Sequence, residues 1–359
     1  MCRKIYKVGF IGCGGIANKK HFDAVQKQRW RMEPIAFCDI VEARAQEFAK
    51  RFGASNPQIS TDYRELLSNP EIDVIYVLTP NRMHAEITIA ALKAGKDVMC
   101  EKPMACNSRD AMAMCKAAKE TGRKLNIGYQ YRCDPEPMRL KKIVEAGVLG
   151  DIYYAEAHAV RRRGVPNWGV FLNKDEQGGG ALIDIGTHAL DMTLWLMNNY
   201  DVKSVMGASF QKLGGLDPAG NKFGAWDVAA FQKIDDASFG FITMKNGAVI
   251  SLRASWALNI LDTREQKVTL CGTGAGADMN NGLTINGVAY DGLYDMRPDL
   301  TPDRLHQGET AADREAQQWF DALDGLREVP VKPEQAMMVT RILEAIYTSA
   351  QTGKAVLFD

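Results

Sequence analysis

Asp184, His188 and Asp191 follow three glycines, Gly178-Gly179-Gly180, and stand four and three residues apart. On a helix, or at its first turn, those offsets bring two carboxylates and an imidazole onto one face. Met192, Leu194, Trp195 and Leu196 continue the segment as an apolar helix. The polar trio therefore sits beside a buried surface, where pKa values are tuned and acid–base chemistry is feasible. The same trio could equally be a buried histidine satisfied by two carboxylates. Lys102 is a second candidate, because Pro103 restricts it to extended geometry and so fixes where its amine points. The sequence leaves open whether the Lys102–Pro103 bond is cis.

A third group of residues has a different chemistry. Gly12-Cys13-Gly14-Gly15-Ile16-Ala17 follows a short apolar strand, Tyr6 to Ile11, and leads into a helix running towards Gln28. This is the G-x-G-x-x-G/A pattern in its expected context. Gly12 permits the tight turn, Gly14 lets the backbone approach a pyrophosphate, and Ala17 keeps helix and strand close. Unpaired N–H groups of the helix N-terminus, including those at Gly15 and Ile16, face the phosphates. A second strand, Ile35 to Cys38, ends at Asp39, about twenty residues further on. A carboxylate there accepts hydrogen bonds from adenosine ribose hydroxyls and repels a 2′-phosphate. Ile40 rather than arginine comes next, which favours NAD over NADP.

These residues need a frame. A helix is expected from Val41 to Phe52, stopped by Gly53, with a short helix from Tyr63 to Leu67. Asp73 to Leu78 is a near-continuous apolar run of the kind found in central parallel strands. It exits into Thr79-Pro80-Asn81, and His84 opens the next helix near the bound cofactor. Asp97 to Cys100 is another strand, exiting into Glu101-Lys102-Pro103; Ser108 is read as the N-cap of a helix to Thr121, and Lys124 to Tyr129 as a further strand. The alternation predicts a doubly wound parallel sheet. Ligands bind such sheets outside the carboxyl ends of the strands, which singles out Asp39, Thr79, Asn81, Glu101, Lys102 and Tyr131.

Beyond residue 132 the pattern changes. A helix from Pro135 to Glu145 precedes an alternating strand, Ile152 to Arg162. Further strands are expected at Val205–Leu213, Asp227–Ile234, Ala237–Met244, Ala248–Trp256 and Lys267–Cys271, with terminal helices Ala311–Leu323 and Pro333–Thr352. This predicts an α/β plus α+β chain: a Rossmann domain over residues 1–132 and a domain built on an open, mostly antiparallel sheet over 133–359. Arg161-Arg162-Arg163, with Trp168 and Phe171, reads either as a polyol-binding edge or as an exposed basic strand end beside a packed tryptophan. For the former, Arg163 and Trp168 would touch substrate. The glycines at 178–180 could be no more than a flexible connection.

Bulk properties narrow the choice. At 359 residues the chain is long for one core. Lys+Arg and Asp+Glu are equal at 44 each, so no net field attracts nucleic acid or an anionic membrane. Eight cysteines without a Cys-x-x-Cys pair argue against a structural zinc site and fit reduced thiols. No apolar run approaches a membrane span, and Val8 to Cys13 is too short for a signal-peptide core. A cytoplasmic protein with no metal is expected.

The ordered set Gly12-x-Gly14-x-x-Ala17, Thr79-Pro80-Asn81-x-x-His84, Glu101-Lys102-Pro103 and Asp184-x-Gly186-x-His188-x-x-Asp191, with the terminal Ala345-Ile346-Tyr347-x-Ser349-Ala350-x-x-Gly353-Lys354, resembles the glucose–fructose oxidoreductase / inositol dehydrogenase / rhizopine catabolism (Gfo/Idh/MocA) family over essentially the whole chain. The resemblance implies a nicotinamide cofactor, a carbohydrate or cyclitol substrate and homo-oligomers formed through the second domain's sheet. It also implies catalytic roles for Lys102, Asp184 and His188. Arg163-Gly164-Val165-Pro166-Asn167-Trp168-Gly169 with Gln177 to Gly180 is similar to members that oxidise glucosides at C3. Hydride would pass between nicotinamide and a secondary carbinol carbon. His188, whose ordinary pKa of about 6.5 suits neutral pH, is the favoured base, and Lys102 is the alternative. Asp184 would bind the same hydroxyl or orient the imidazole. Other outcomes are an inositol dehydrogenase, a glycosidase using NAD transiently, and a nicotinamide-binding sensor without turnover.

Overall fold

A computed structural model describes residues 4–231, 234–301 and 308–358. The chain divides into two compact units, Met1–Cys133 with Leu305–Met337, and Asp134–Arg304 with Met338–Asp359.

The first unit is a six-stranded parallel sheet. Its strands are β1 (Tyr6–Ile11), β2 (Met32–Cys38), β3 (Gln58–Ser60), β4 (Val74–Val77), β5 (Asp97–Cys100) and β6 (Leu125–Ile127), in the order β3-β2-β1-β4-β5-β6. The order reverses between β1 and β4, which is where doubly wound sheets open a crevice for ligand. Stacked and edge-on rings of Phe10, Phe37, Phe48, Phe52 and Tyr76 fill the core on one side of the sheet. Trp319, Phe320 and Leu323 of the helix Ala311–Leu323 belong to the same cluster. That burial draws residues 305–337 into the first unit, although a division at residue 132 had placed them in the second. Asn107, not Ser108, caps the helix Ser108–Thr121, its side chain accepting from Asp110 N at 2.9 Å. The helix after the glycine loop opens as a π-turn, Ala17–His21, and its regular part ends at Gln26.

The second unit carries a nine-stranded sheet: β7 (Ile152–Val160), β8 (Val202–Phe210), β9 (Ala237–Met244), β10 (Val249–Ser255), β11 (Arg264–Gly272), β12 (Gly276–Asp278), β13 (Thr284–Ala289), β14 (Gly292–Met296) and β15 (Val356–Leu357). The order is β14-β13-β12-β11-β7-β10-β9-β8-β15, antiparallel throughout except for β7 beside β10. The helix Thr187–Met197 packs on β7 and β11. Asp227–Ile234 is not a strand. The Asp227 carboxylate accepts from the N–H groups of Ala229 and Ala230, which folds that stretch into a turn, and residues 232–233 lie outside the described residues. No helix among the described residues is long and apolar enough to cross a membrane.

Candidate active site

In the first unit, the loop after β1 has the geometry its sequence requires. Gly12 has φ +92°, and a Cβ there would lie 2.6 Å from Leu78 O, so only glycine fits. Nothing stands within 4 Å of a Cβ built at Gly14 or Gly15, which leaves the loop open for a phosphate to approach. Asn18, which the sequence pattern did not single out, braces the loop by donating from Nδ2 to Cys13 O at 3.0 Å and Gly14 O at 2.9 Å. Asp39, at the end of β2, accepts from Cys13 N through Oδ2 and from Val41 N through Oδ1, both at 2.9 Å. Each oxygen keeps a further acceptor site for a ribose hydroxyl. Thr79 Oγ1 is buried with no hydrogen-bond partner among the described residues. It follows Leu78, against which Gly12 is packed. A cradle that a side chain would fill and an orphaned hydroxyl beside it together fit a bound dinucleotide.

Glu101 and His84 are both held by partners within the first unit. The Glu101 Oε1 atom meets Lys20 Nζ at 2.6 Å and His21 Nε2 at 2.7 Å, all three side chains being at most 8% exposed. Lys20 also pairs with Glu315 at 3.0 Å. Burial alone would raise the Glu101 carboxyl, but the Lys20 ammonium and then His21 hold it well below the usual carboxylate range. The π-turn at Ala17–His21 lets two consecutive side chains reach one oxygen. Glu101 Oε2 in turn accepts from Lys102 N at 3.2 Å, so its role is to brace the backbone that carries Lys102. His84 is fully buried, with Nδ1 2.8 Å from Pro103 O and Nε2 2.9 Å from Thr79 O. Burial lowers its pKa below the ordinary value, and a neutral ring donates to only one of the two carbonyls. It ties the β4 exit to the cis Lys102–Pro103 peptide. Asn81 lies buried in the turn Asn81–Met83 just before it, and Tyr131 occupies the turn Gln130–Cys133 that follows β6.

In the second unit, Asp184 sits in a second π-turn, Leu182–Gly186, and His188 and Asp191 on the α-helix Thr187–Met197 that continues it. Trp256 Nε1 donates to Asp184 Oδ2 at 2.9 Å. The triple glycine is no flexible connection. A Cβ at Gly179 would lie 2.2 Å from Tyr347 Oη, and one at Gly180 only 2.0 Å from Asp235 O. Asp235 accepts from Gly180 N at 2.6 Å, Leu182 N at 3.0 Å and Tyr347 Oη at 2.7 Å. Burial, then the Asp235 charge, pushes the Tyr347 phenol well above its ordinary pKa, so it stays a donor. Asp235, Tyr347 and Trp256 thus hold the turn bearing Asp184, and only their positions in the fold reveal them.

Two arginines of the run have partners within the second unit. Arg161 pairs with Glu265 at 2.7 Å, and Arg163 donates to Arg162 O and Asn259 Oδ1, each at 2.8 Å. Trp168 is 44% exposed and packs edge-on against Phe171 and Phe223.

Residues 6–129 match the oxidoreductase family, NAD-binding Rossmann fold, and residues 141–358 match the oxidoreductase family, C-terminal alpha/beta domain. The D-glucoside 3-dehydrogenase of Escherichia coli (strain K12) is 36% identical over 98% of this chain and 97% of its own length. The levoglucosan dehydrogenase of Pseudarthrobacter phenanthrenivorans is 31% identical over 69% of this chain and 67% of its own. A solved levoglucosan dehydrogenase, in complex with NADH and L-sorbose, superposes with a TM-score of 0.82 at 25% identity, covering 99% of both chains. Two domain matches in order, spanning nearly every residue, and a relative of this similarity along its full length place the chain in the Gfo/Idh/MocA family of NAD-binding oxidoreductases.

Proposed function

We propose that this protein oxidises the C3 hydroxyl of a glucoside with NAD, and that Lys102, Asp184 and His188 act in that one reaction. The NAD-dependent oxidation or reduction of a sugar or cyclitol hydroxyl is the broader activity. The choice of a glucoside is supported by the full-length similarity to a D-glucoside 3-dehydrogenase. The observation that carries the catalytic assignment is the pinned turn: Trp256 fixes the Asp184 carboxylate one helical step before His188. Nicotinamide, when bound, supplies the hydride acceptor. Gly12 to Ala17, Thr79, Asn81 and Asp39 would hold that cofactor.

The protein's own residues handle the proton and the charge. His188 removes the hydroxyl proton as hydride leaves the carbon, and Asp184 accepts from the same hydroxyl or orients the imidazole. The Lys102 ammonium stabilises the developing alkoxide. Tyr131, Arg163 and Trp168 would line the rest of the substrate. Homo-oligomers would form through the open sheet face, where Phe210 and Phe241 stand exposed on the side away from Ile346. The cell compartment proposed is the cytoplasm.

Trp256→Phe keeps an aromatic ring but deletes the donor to Asp184. Turnover should fall about tenfold or more, since hydrogen bonds to charged groups are worth roughly 1.5–3 kcal/mol. An unchanged rate would detach Trp256 from the site. The position of oxidation is tested by NMR of the product from methyl β-D-glucoside: a ketone at C3 is expected, and one at any other carbon contradicts the C3 assignment.

A further inference from the structure

The second unit contains a cavity of about 320 Å³ between the start of the helix Pro135–Glu145, the helix Thr187–Met197 and β11. Pro135, Met192 and Met279 give it an apolar floor, and Asp134, Gln266 and Lys267 a polar rim. We propose that this cavity receives a second sugar ring, so that the preferred substrate is a disaccharide or other glycosylated glucoside oxidised on its first ring. The inference rests on the glucoside function proposed above.

Three features point to it. The first is the backbone. Successive residues of a strand face opposite sides of a sheet, yet Gln266 and Lys267 both line the cavity. They can do so because β11 bulges there: Glu265 pairs with Ala159, Lys267 with His158, and Gln266 is the extra residue at φ +50°. A left-handed conformation is costly for a residue with a side chain, and such outliers cluster where a ligand is held. The second is chemistry. Lys267 Nζ lies 3.3 Å from Glu136 Oε2, so this part of the rim is an ion pair rather than a lone charge. Burial, reinforced by Glu136, pushes the Asp134 carboxyl up to about 6, so near neutrality it is mainly an acceptor for hydroxyl groups. A neutral polyhydroxylated ring fits such a rim, and its C–H face fits the proline and methionine floor; the volume is at the small end of ligand sites. The third is position. Met192 lies one turn after His188 on the same helix, an offset that places side chains about 6 Å apart on one face. A ring bonded to the one being oxidised can reach that far.

The test compares kcat/KM for methyl β-D-glucoside with that for cellobiose and maltose, in wild type, in Leu300→Trp, which fills the cavity from its loop side, and in Lys267→Ala. Wild type is expected to favour at least one disaccharide by about tenfold. Leu300→Trp should erase that advantage while leaving methyl glucoside within about twofold, and Lys267→Ala should lower the disaccharide alone by about threefold or more, magnitudes typical of pocket contacts. Equal effects on both substrates, or no disaccharide advantage in wild type, would overturn the second-ring site while leaving glucoside oxidation standing. Absence of oxidation of any of the three substrates would overturn the function and this inference together.

Discussion

Replacing His188 with alanine is expected to lower turnover by about 10²–10⁴-fold, the range contributed by a positioned general base. The side chain sits on a helix whose every neighbour is packed, so a truncation there leaves the fold's frame in place and removes the proton acceptor. Lys102→Met should also be slow, for a different reason: the alkoxide loses its cation while the base survives. The two variants separate on the rate–pH profile. With His188 as base, the limb requiring a deprotonated group vanishes in His188→Ala and persists in Lys102→Met. If it vanishes only in Lys102→Met, the lysine is the base. Steady-state rates of His188→Ala within about threefold of wild type would remove this residue from the mechanism.

Glu101→Gln is expected to destabilise the protein by about 3–5 kcal/mol, as breaking a buried ion pair does when one charge is left behind. Lys20 would keep Glu315 as a charged partner, and His21 would face an amide. The pH dependence has a definite sign. The folded carboxyl is held well below its ordinary value of 4.5, so its contribution is present above that value and is lost as pH falls beneath it. Denaturant unfolding of wild type should therefore weaken steadily on acidification below about pH 4.5, and the glutamine variant should weaken less steeply. Because Glu101 also receives the Lys102 N–H, turnover of the folded variant should fall too. Equal stability of the two proteins at neutral pH would show that the network contributes nothing measurable.

Much of the first unit could be read from local pattern. The glycine loop, the strand exits and Asp39 all fall within one strand–turn–helix grammar, where a residue's neighbours in sequence are its neighbours in space. Elsewhere a single side chain or a distant partner decides. The apolar run Val228 to Phe231 has strand composition, but the side chain of the adjacent Asp227 turns it. The helix Ala311–Leu323 announces an apolar face without saying which core it joins, and Trp319 and Phe320 join that of β1. Strands β3, β12 and β15 have only two or three residues each, too few for a period-2 signal. In the candidate site, Asp184 and His188 stand out from their spacing. Trp256, Asp235 and Tyr347 do not, because the hydrogen-bonded pairs Trp256–Asp184, Asp235–Gly180 and Tyr347–Asp235 lie 72, 55 and 112 positions apart in the chain. Glu101 and His84 were visible by motif, yet their side chains turn inward to hold Lys102 and Thr79.

The proposed activity is tested most directly by net reduction of NAD when the purified protein meets methyl β-D-glucoside, in a panel with free glucose, inositols and sugar acids and repeated with NADP. One equivalent of NADH should accumulate for each 3-keto-glucoside formed, and NADP should give under about a tenth of the NAD rate because Asp39 repels a 2′-phosphate. Release of methanol without net NADH would make the protein a glycosidase that borrows its cofactor. Tight NAD binding with no NADH from any member of the panel would contradict a dehydrogenase altogether.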